Sequence, residues 1–247
     1  MQNSPRFASP DSLEIQTKKL ETFTPQEILA WAWNEYAPRV KVATGFGAEG
    51  MVLIHMLAEI APQISVFNLD TGYQFPESLS LKEAVKKRYG IDIKLVQPET
   101  SVTDYEKIHG GPVYLTDANQ CCHDRKVTVL KKALQGTSAW LTAIRRDQSP
   151  TRSNVPILGW DKQFNLVKIN PLANWNKHDV WAFIKKYNIP YNPLYDQGYT
   201  SIGCWPCTKK PNNSDERSGR WSGSEKTECG IHHPNLKINS THSLKSQ

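Results

Sequence analysis

The sequence predicts an α/β fold, a parallel sheet covered by helices on both faces, followed by a C-terminal tail. Three observations carry this. Strand-like and helix-like apolar patterns alternate from residue 25 to residue 145. Glycine turns separate strand from helix, as in "VATGFGAEG". Beyond residue 190, Pro, Gly, Asn and Ser displace the periodic apolar residues, and no long helix is expected there. A chain of 247 residues is long enough for one large domain with a complete core.

Taken in order, "TPQEILAWAWNEYA" starts a helix, with Thr24 as cap, Pro25 in the first turn and Glu27 completing a capping box. "RVKVATGFGAEGMVLIHMLAEI" alternates over Val40 and Val42, turns at Gly45 and Gly47, and continues as a helix from Met51 to Ile60. "QISVFNLD" is an apolar run suited to a buried parallel strand. "PESLSLKEAVKKRYG" reads as a helix stopped by Gly90, and "IDIKLV" as a strand. "CCHDRKVTVLKKAL" is helical and "SAWLTAI" strand-like. "VPILGW" and "NLVKINPL" suit a hairpin, and "NWNKHDVWAFIKKYN" a helix capped by Asn176 with Asp179 three residues on.

This divides the chain into a disordered leader (1–20), a nucleotide-binding α/β domain (21–200), a cysteine-bearing tail (201–233) and a disordered end (234–247). No apolar run approaches the roughly 20 residues of a membrane span, and the N-terminus lacks the apolar core of a secretory signal. A cytoplasmic setting follows, where cysteine pairs serve metal or redox chemistry rather than disulfides. The net charge of +6 suits anionic ligands, but its scatter argues against nucleic acid.

Two loops fall at carboxyl ends of strands, where open α/β sheets hold ligands. In "TGFGAEG", Thr44, Gly45, Phe46, Gly47, Ala48 and Glu49 lead into a helix whose N-terminus can hold an anion. It is no Walker A loop, because the GK[ST] ending is absent, and a plain tight turn is the competing reading. In "LDTG", Leu69, Asp70, Thr71 and Gly72 offer a carboxylate to a ribose hydroxyl or to the next helix. "AIRRDQSPTR" puts Arg145, Arg146 and Arg152 on the same rim, where guanidinium forks suit sulfate or phosphate.

Five cysteines remain to be placed. Cys121–Cys122 and Cys204–Cys207 make a four-thiol set acceptable to zinc or to an iron–sulfur cluster. Adjacent side chains on a regular helix point about 100° apart, awkward for one small ion and easier for a cluster if the helix is kinked there. Buried small hydrophobes, or a dithiol-exchange site at "GCWPC", are the competing readings. Cys229 is left over in a polar tail. As a nucleophile it needs to be a thiolate, which Glu228 would oppose and Lys226 or His232 would favour.

The set "GFGAEG", "LDTG", "CCHDRK", "IRRDQSPTR", "GCWPC", "DERSGRW" and "ECGIH", in that order over residues 25–233, resembles the assimilatory adenylyl-sulfate/phosphoadenylyl-sulfate reductase family. The resemblance implies an adenine nucleotide α-hydrolase-like α/β/α sandwich that reduces activated sulfate to sulfite with thioredoxin, or glutaredoxin in its place. It implies that Cys121, Cys122, Cys204 and Cys207 ligate one [4Fe–4S] cluster and that Cys229 is the nucleophile. Lys126, Arg145, Arg146, Arg217, Arg220 and His232 would join the two loops in binding substrate. The cluster cysteines point to adenylyl sulfate (APS), while Tyr73 after "LDTG" leaves the 3′-phosphorylated form (PAPS) or dual use open. Lys226–Thr227 before "ECG" gives one positive charge fewer than the family's usual Lys-Arg. A homo-oligomer is allowed. Two rivals remain: an ATP-dependent adenylating enzyme of the same architecture, which should carry a fuller pyrophosphate loop, and a zinc-stabilised RNA-binding protein.

Overall fold

Chain order and hydrogen bonding build a six-stranded sheet with strand order β3-β2-β1-β4-β6-β5 in the computed structural model, which describes residues 10–211 and 215–232. The strands are β1 (Val40–Thr44), β2 (Ser65–Leu69), β3 (Lys94–Val96), β4 (Ala139–Leu141), β5 (Leu158–Asp161) and β6 (Leu166–Ile169). All neighbours pair in parallel except β5 and β6, the expected hairpin. From β1 the chain first moves outward through β2 and β3, then returns to place β4 on the other side. The resulting crevice, at the carboxyl ends of the strands, is where such sheets bind ligands.

Period-2 alternation sorts the strand side chains between two cores. Val40, Val42, Val66, Ala139, Leu141, Val167 and Ile169 face one core with helices α2 (Pro25–Tyr36), α3 (Ala48–Ile60), α4 (Pro76–Tyr89) and α9 (Lys177–Tyr187). Phe67, Leu69, Trp140 and Leu166 face the other, under α8 (Thr128–Ala133) and Ile231 of the tail. Both capping boxes form, at Thr24 with Glu27 and at Asn176 with Asp179. Gly90 closes α4 in the left-handed conformation.

The structure departs from the sequence reading in three places. Of the expected disordered leader, residues 1–9 lie outside the described residues, whereas Pro10–Leu20 forms helix α1. Leu20 is fully buried, and Thr17 Oγ1 donates to the Leu158 carbonyl of β5 at 2.8 Å, so this helix covers the sheet edge. Helices α5 (Val102–His109) and α6 (Val113–Thr116) occupy a stretch to which the sequence assigned no element. The cysteine-bearing helix is not regular. After α7 (Ala118–Cys122) it widens into a π turn over His123–Val127 before resuming as α8. Cys121 and Cys122 themselves lie in the regular turn of α7, and the irregularity comes just after them, where the π turn inserts a residue into the helix. The end of the chain expected to be disordered (234–247) lies outside the described residues.

Candidate active site

The crevice holds a cleft of about 220 Å³. Its floor is built from strand ends: Thr44, Gly45 and Gly47 after β1, Leu69 and Thr71 at β2, and Thr142 after β4. Glu49, Lys126, Arg217, Arg220, Cys229 and His232 complete the set of expected residues on its wall. Others expected there are not. Phe46 is fully buried in the main core with φ 57°, so the turn points its ring away from the cleft. The Ala48 N–H at the start of α3 donates to the Tyr195 hydroxyl. Asp70 accepts from Gly72 N–H at 3.0 Å and Gln97 Nε2 at 2.7 Å, so its carboxylate shapes its own turn instead of facing a ribose. Gly72, at φ +76°, lies against Arg125, whose Nε donates to the Thr71 carbonyl at 2.6 Å.

Two arginines also part from expectation. Arg145, fully buried, pairs with Glu49, Asp147 and Glu216, so its charge is already matched by carboxylates. Arg146 points outward to Glu21 and the Val155 carbonyl. Side chains leaving an extended strand alternate in direction, so adjacent arginines go to opposite sides. Arg152, named in the sequence but not counted as a substrate contact, does reach the cleft. Its fork grips Glu228 through Nε (2.6 Å) and Nη2 (2.8 Å). Glu228 also receives Arg217 Nη2 at 2.9 Å and the Cys229 N–H at 2.8 Å. Burial pushes the Glu228 carboxyl up, but Arg152, Arg217 and the Cys229 amide together bring it below the usual carboxylate range. Glu228 is therefore an anion at neutral pH, and its charge is paired with Arg152 and Arg217.

Cys229 is buried beside Cys122 and Trp221. A hydrogen bond from the Cys122 thiol holds Cys229 well below the ordinary thiol range, against burial, with help from Lys126, the Ile231 N–H and Arg220. A Cys122 that ligates iron has no proton to give, which leaves Lys126, the Ile231 N–H and Arg220 as the groups that favour the thiolate. Burial pulls Lys126 down, but the sulfurs of Cys204, Cys229 and Cys122 around it raise it further, so it stays protonated. Burial and Arg152 push Arg217 down to about 10, still cationic at neutral pH. His232 is not the cation expected: burial, Lys168, Arg152 and Arg217 hold it well below its ordinary value, hence neutral. Lys226 reaches Asn119 Oδ1 at 2.5 Å and lies over Trp221.

The other four cysteines line one recess beside the cleft, with Arg125, Lys126 and Arg220. Burial and the neighbouring sulfurs push the Cys121 thiol up to about 12 and raise Cys207 as well. Four thiols converging among three cations suit an anionic thiolate-ligated group, which removes those protons outright. Among the described residues, no group of three or more His, Cys, Asp or Glu is arranged to hold a single metal ion. Cys204 is stitched to the sheet: Trp205 N–H donates to the Tyr73 carbonyl at 2.8 Å, and Cys204 Sγ lies 3.2 Å from Thr71 Oγ1. A Cβ at Gly203 would meet the Arg220 guanidinium, so the glycine lets that cation lie against the 204–207 loop. Tyr73 turns into the recess, not the cleft, and its hydroxyl donates to Glu106 at 2.7 Å.

A sheet covered on both faces, with an open switch-point crevice, a cationic wall and a buried thiol on it, defines an α/β protein built to hold an anionic ligand at its strand ends. The family model described as "phosphoadenosine phosphosulfate reductase domain" matches residues 39–210. Adenosine 5'-phosphosulfate reductase 2 of Bacillus subtilis (strain 168) is 46% identical over 208 residues, covering 83% of this chain and 88% of that protein. Adenosine 5'-phosphosulfate reductase of Salinibacter ruber is 40% identical over 234 residues, 93% of each. Among solved structures, the phosphoadenylyl-sulfate reductase of Candida auris in a phosphate complex superposes with a TM-score of 0.74 at 30% identity, over 81% of this chain and 98% of that one. The chain belongs to the phosphoadenosine phosphosulfate reductase family. A Candida glabrata FMN adenylyltransferase (TM-score 0.58, 20% identity, 92% of this chain and 81% of that one) shares the fold alone.

Proposed function

We propose that this protein is an oxidoreductase that reduces APS to sulfite and AMP in sulfate assimilation. The observation that carries the reading is Cys229, an activated thiol on the wall of the switch-point cleft, between Lys126 and Arg220. The names of the relatives favour APS over PAPS, and Tyr73, the residue that kept PAPS open, faces away from the cleft.

Cys229 Sγ attacks the sulfonyl sulfur. A sulfur–sulfur bond forms, the bond from that sulfur to the bridging oxygen breaks, and AMP leaves with the electron pair. Lys126, Arg217 and Arg220, ready-placed on the cleft wall, stabilise the charge gathering on the sulfonate and phosphate oxygens. A reduced dithiol protein of the thioredoxin or glutaredoxin class then attacks Cys229 Sγ. Sulfite departs with the bonding pair, and the partner's second thiol resolves the mixed disulfide. The dithiol is oxidised by two electrons and the sulfur is reduced by two. With Cys229 only 8% exposed, the tail must open before a partner reaches it.

Cys121, Cys122, Cys204 and Cys207 are the residues that would hold one [4Fe–4S] cluster, and when bound it supplies an anionic anchor tying α7 to the 204–207 loop. No helix among the described residues is long and apolar enough to cross a membrane, and we place the enzyme in the cytoplasm. Mixing APS with the protein in the absence of a dithiol should give one sulfonate adduct, located on Cys229 by peptide mass spectrometry. Cys229→Ser should give none and should produce no sulfite. An adduct on another cysteine ends this mechanism.

A further inference from the structure

Lys168 lies outside the cleft and takes no part in the chemistry above. It stands on β6 directly opposite Trp140 of β4, and its Nζ lies 5.0 Å over the indole ring. Its only carboxylate within reach is Asp161, at 3.9 Å, among the described residues. On the same indole the imidazole of His232 is stacked, with centroids 6.1 Å apart and planes 13° from parallel. Lys168 Nζ is 3.2 Å from His232 Nδ1. The His232 backbone N–H donates to the Cys229 carbonyl at 2.9 Å, so imidazole and nucleophile share one turn.

An ammonium has donors only, so Nδ1 must accept, and the one proton of a neutral imidazole then sits on Nε2. His232 lines the cleft and Lys168 does not, which leaves the Nε2 edge as the one available to a ligand. We propose that Lys168 is a positioning residue that fixes His232 as the Nε2–H tautomer against Trp140, so that the ring offers an N–H donor to the anionic substrate. The alternative tautomer would turn a lone pair toward anionic oxygens and repel them. This rests on the reading of the cleft as an activated-sulfate site.

The test is a double-mutant cycle on the cluster-loaded enzyme, reading kcat/KM for APS and the rate of Cys229 adduct formation. His232→Ala should lower both by about 10²-fold, the loss typical of one removed donor. Lys168→Met should lower both by about tenfold, and the double variant should be no worse than His232→Ala. Losses that multiply would overturn the inference and leave the proposed reaction standing. An unchanged His232→Ala would overturn the inference together with the assignment of His232 as a substrate contact, and a missing Cys229 adduct in the wild type would mark failure of the reaction itself. Nitrogen-15 NMR of histidine-labelled wild-type protein, with the His232 signal assigned by its loss in His232→Gln, should show the proton on Nε2. A proton on Nδ1 would overturn the proposal even if Lys168→Met fails to fold.

Discussion

The two ends of the cleft contrast in how they use arginine. At the Cys229 end, Arg152 and Arg217 pair with a single carboxylate, Glu228, while Arg220 and Lys126 line the same cleft, leaving cationic surplus. At the α3 end, Glu49, Asp147 and Glu216 gather around a single cation, Arg145. Burial and Glu49 raise the Glu216 carboxyl in spite of that arginine. One end can receive an anion; the other is already electrostatically closed. A count of arginines in a loop therefore says little until each one's carboxylate partners are known.

The sharpest way to break this comparison is Arg145→Met. It would leave Glu49 and Glu216 facing each other without a cation in a buried site, and should destabilise the protein by about 3–5 kcal/mol in denaturant unfolding. Arg217→Ala should act in the opposite manner. Glu228 keeps its two-pronged contact with Arg152, so the unfolding midpoint should hardly move while kcat falls by about 10²–10³-fold. A comparable loss of stability in both variants would erase the distinction between the two ends.

Glu228→Gln sharpens it through pH. The folded Glu228 carboxyl is depressed below its ordinary value of 4.5. Its contribution to stability is therefore complete above the unfolded pKa and is lost as pH falls through the lower folded one. The difference in melting temperature between wild type and Glu228→Gln should be constant from pH 8 to about pH 5 and shrink below that. A gap that widens on acidification would contradict the assignment. The smallest effect belongs to Arg146→Ala, which removes a partly exposed pair with Glu21. It should cost less than about 1 kcal/mol and leave kcat/KM unchanged.

The sheet and its covering helices were legible in the sequence because each carries its own period and punctuation: Val40 and Val42 alternate, Thr24 and Asn176 cap, and Gly90 stops. Spacing also paired the cysteines whose side chains line one recess, Cys121 and Cys122 with Cys204 and Cys207, and set apart Cys229, which lines the cleft that Cys204 also reaches. Other features depend on long-range partners that no local pattern reports. Arg145 is defined by Glu49, 96 residues earlier, and Arg152 by Glu228, 76 residues later. Asp70 misled for a different reason, since a strand-end aspartate that folds back on its own turn has the same local sequence as one that faces a ligand. Lys168 gave no signal because an isolated lysine in an apolar strand reads as a solvent-facing position, whereas here the tail covers it.

The π turn after Cys122 carries one residue more than regular winding would need. Deleting one residue between Cys122 and Lys126 lets the segment wind as plain α-helix and takes one step of rise from the path between the sulfur pair and the lysine. Chain length in these five residues, more than their chemical identity, thus sets that path. A substitution at part-exposed His123 should be forgiven where a shortening is not, while Lys126 keeps its own role on the cleft wall.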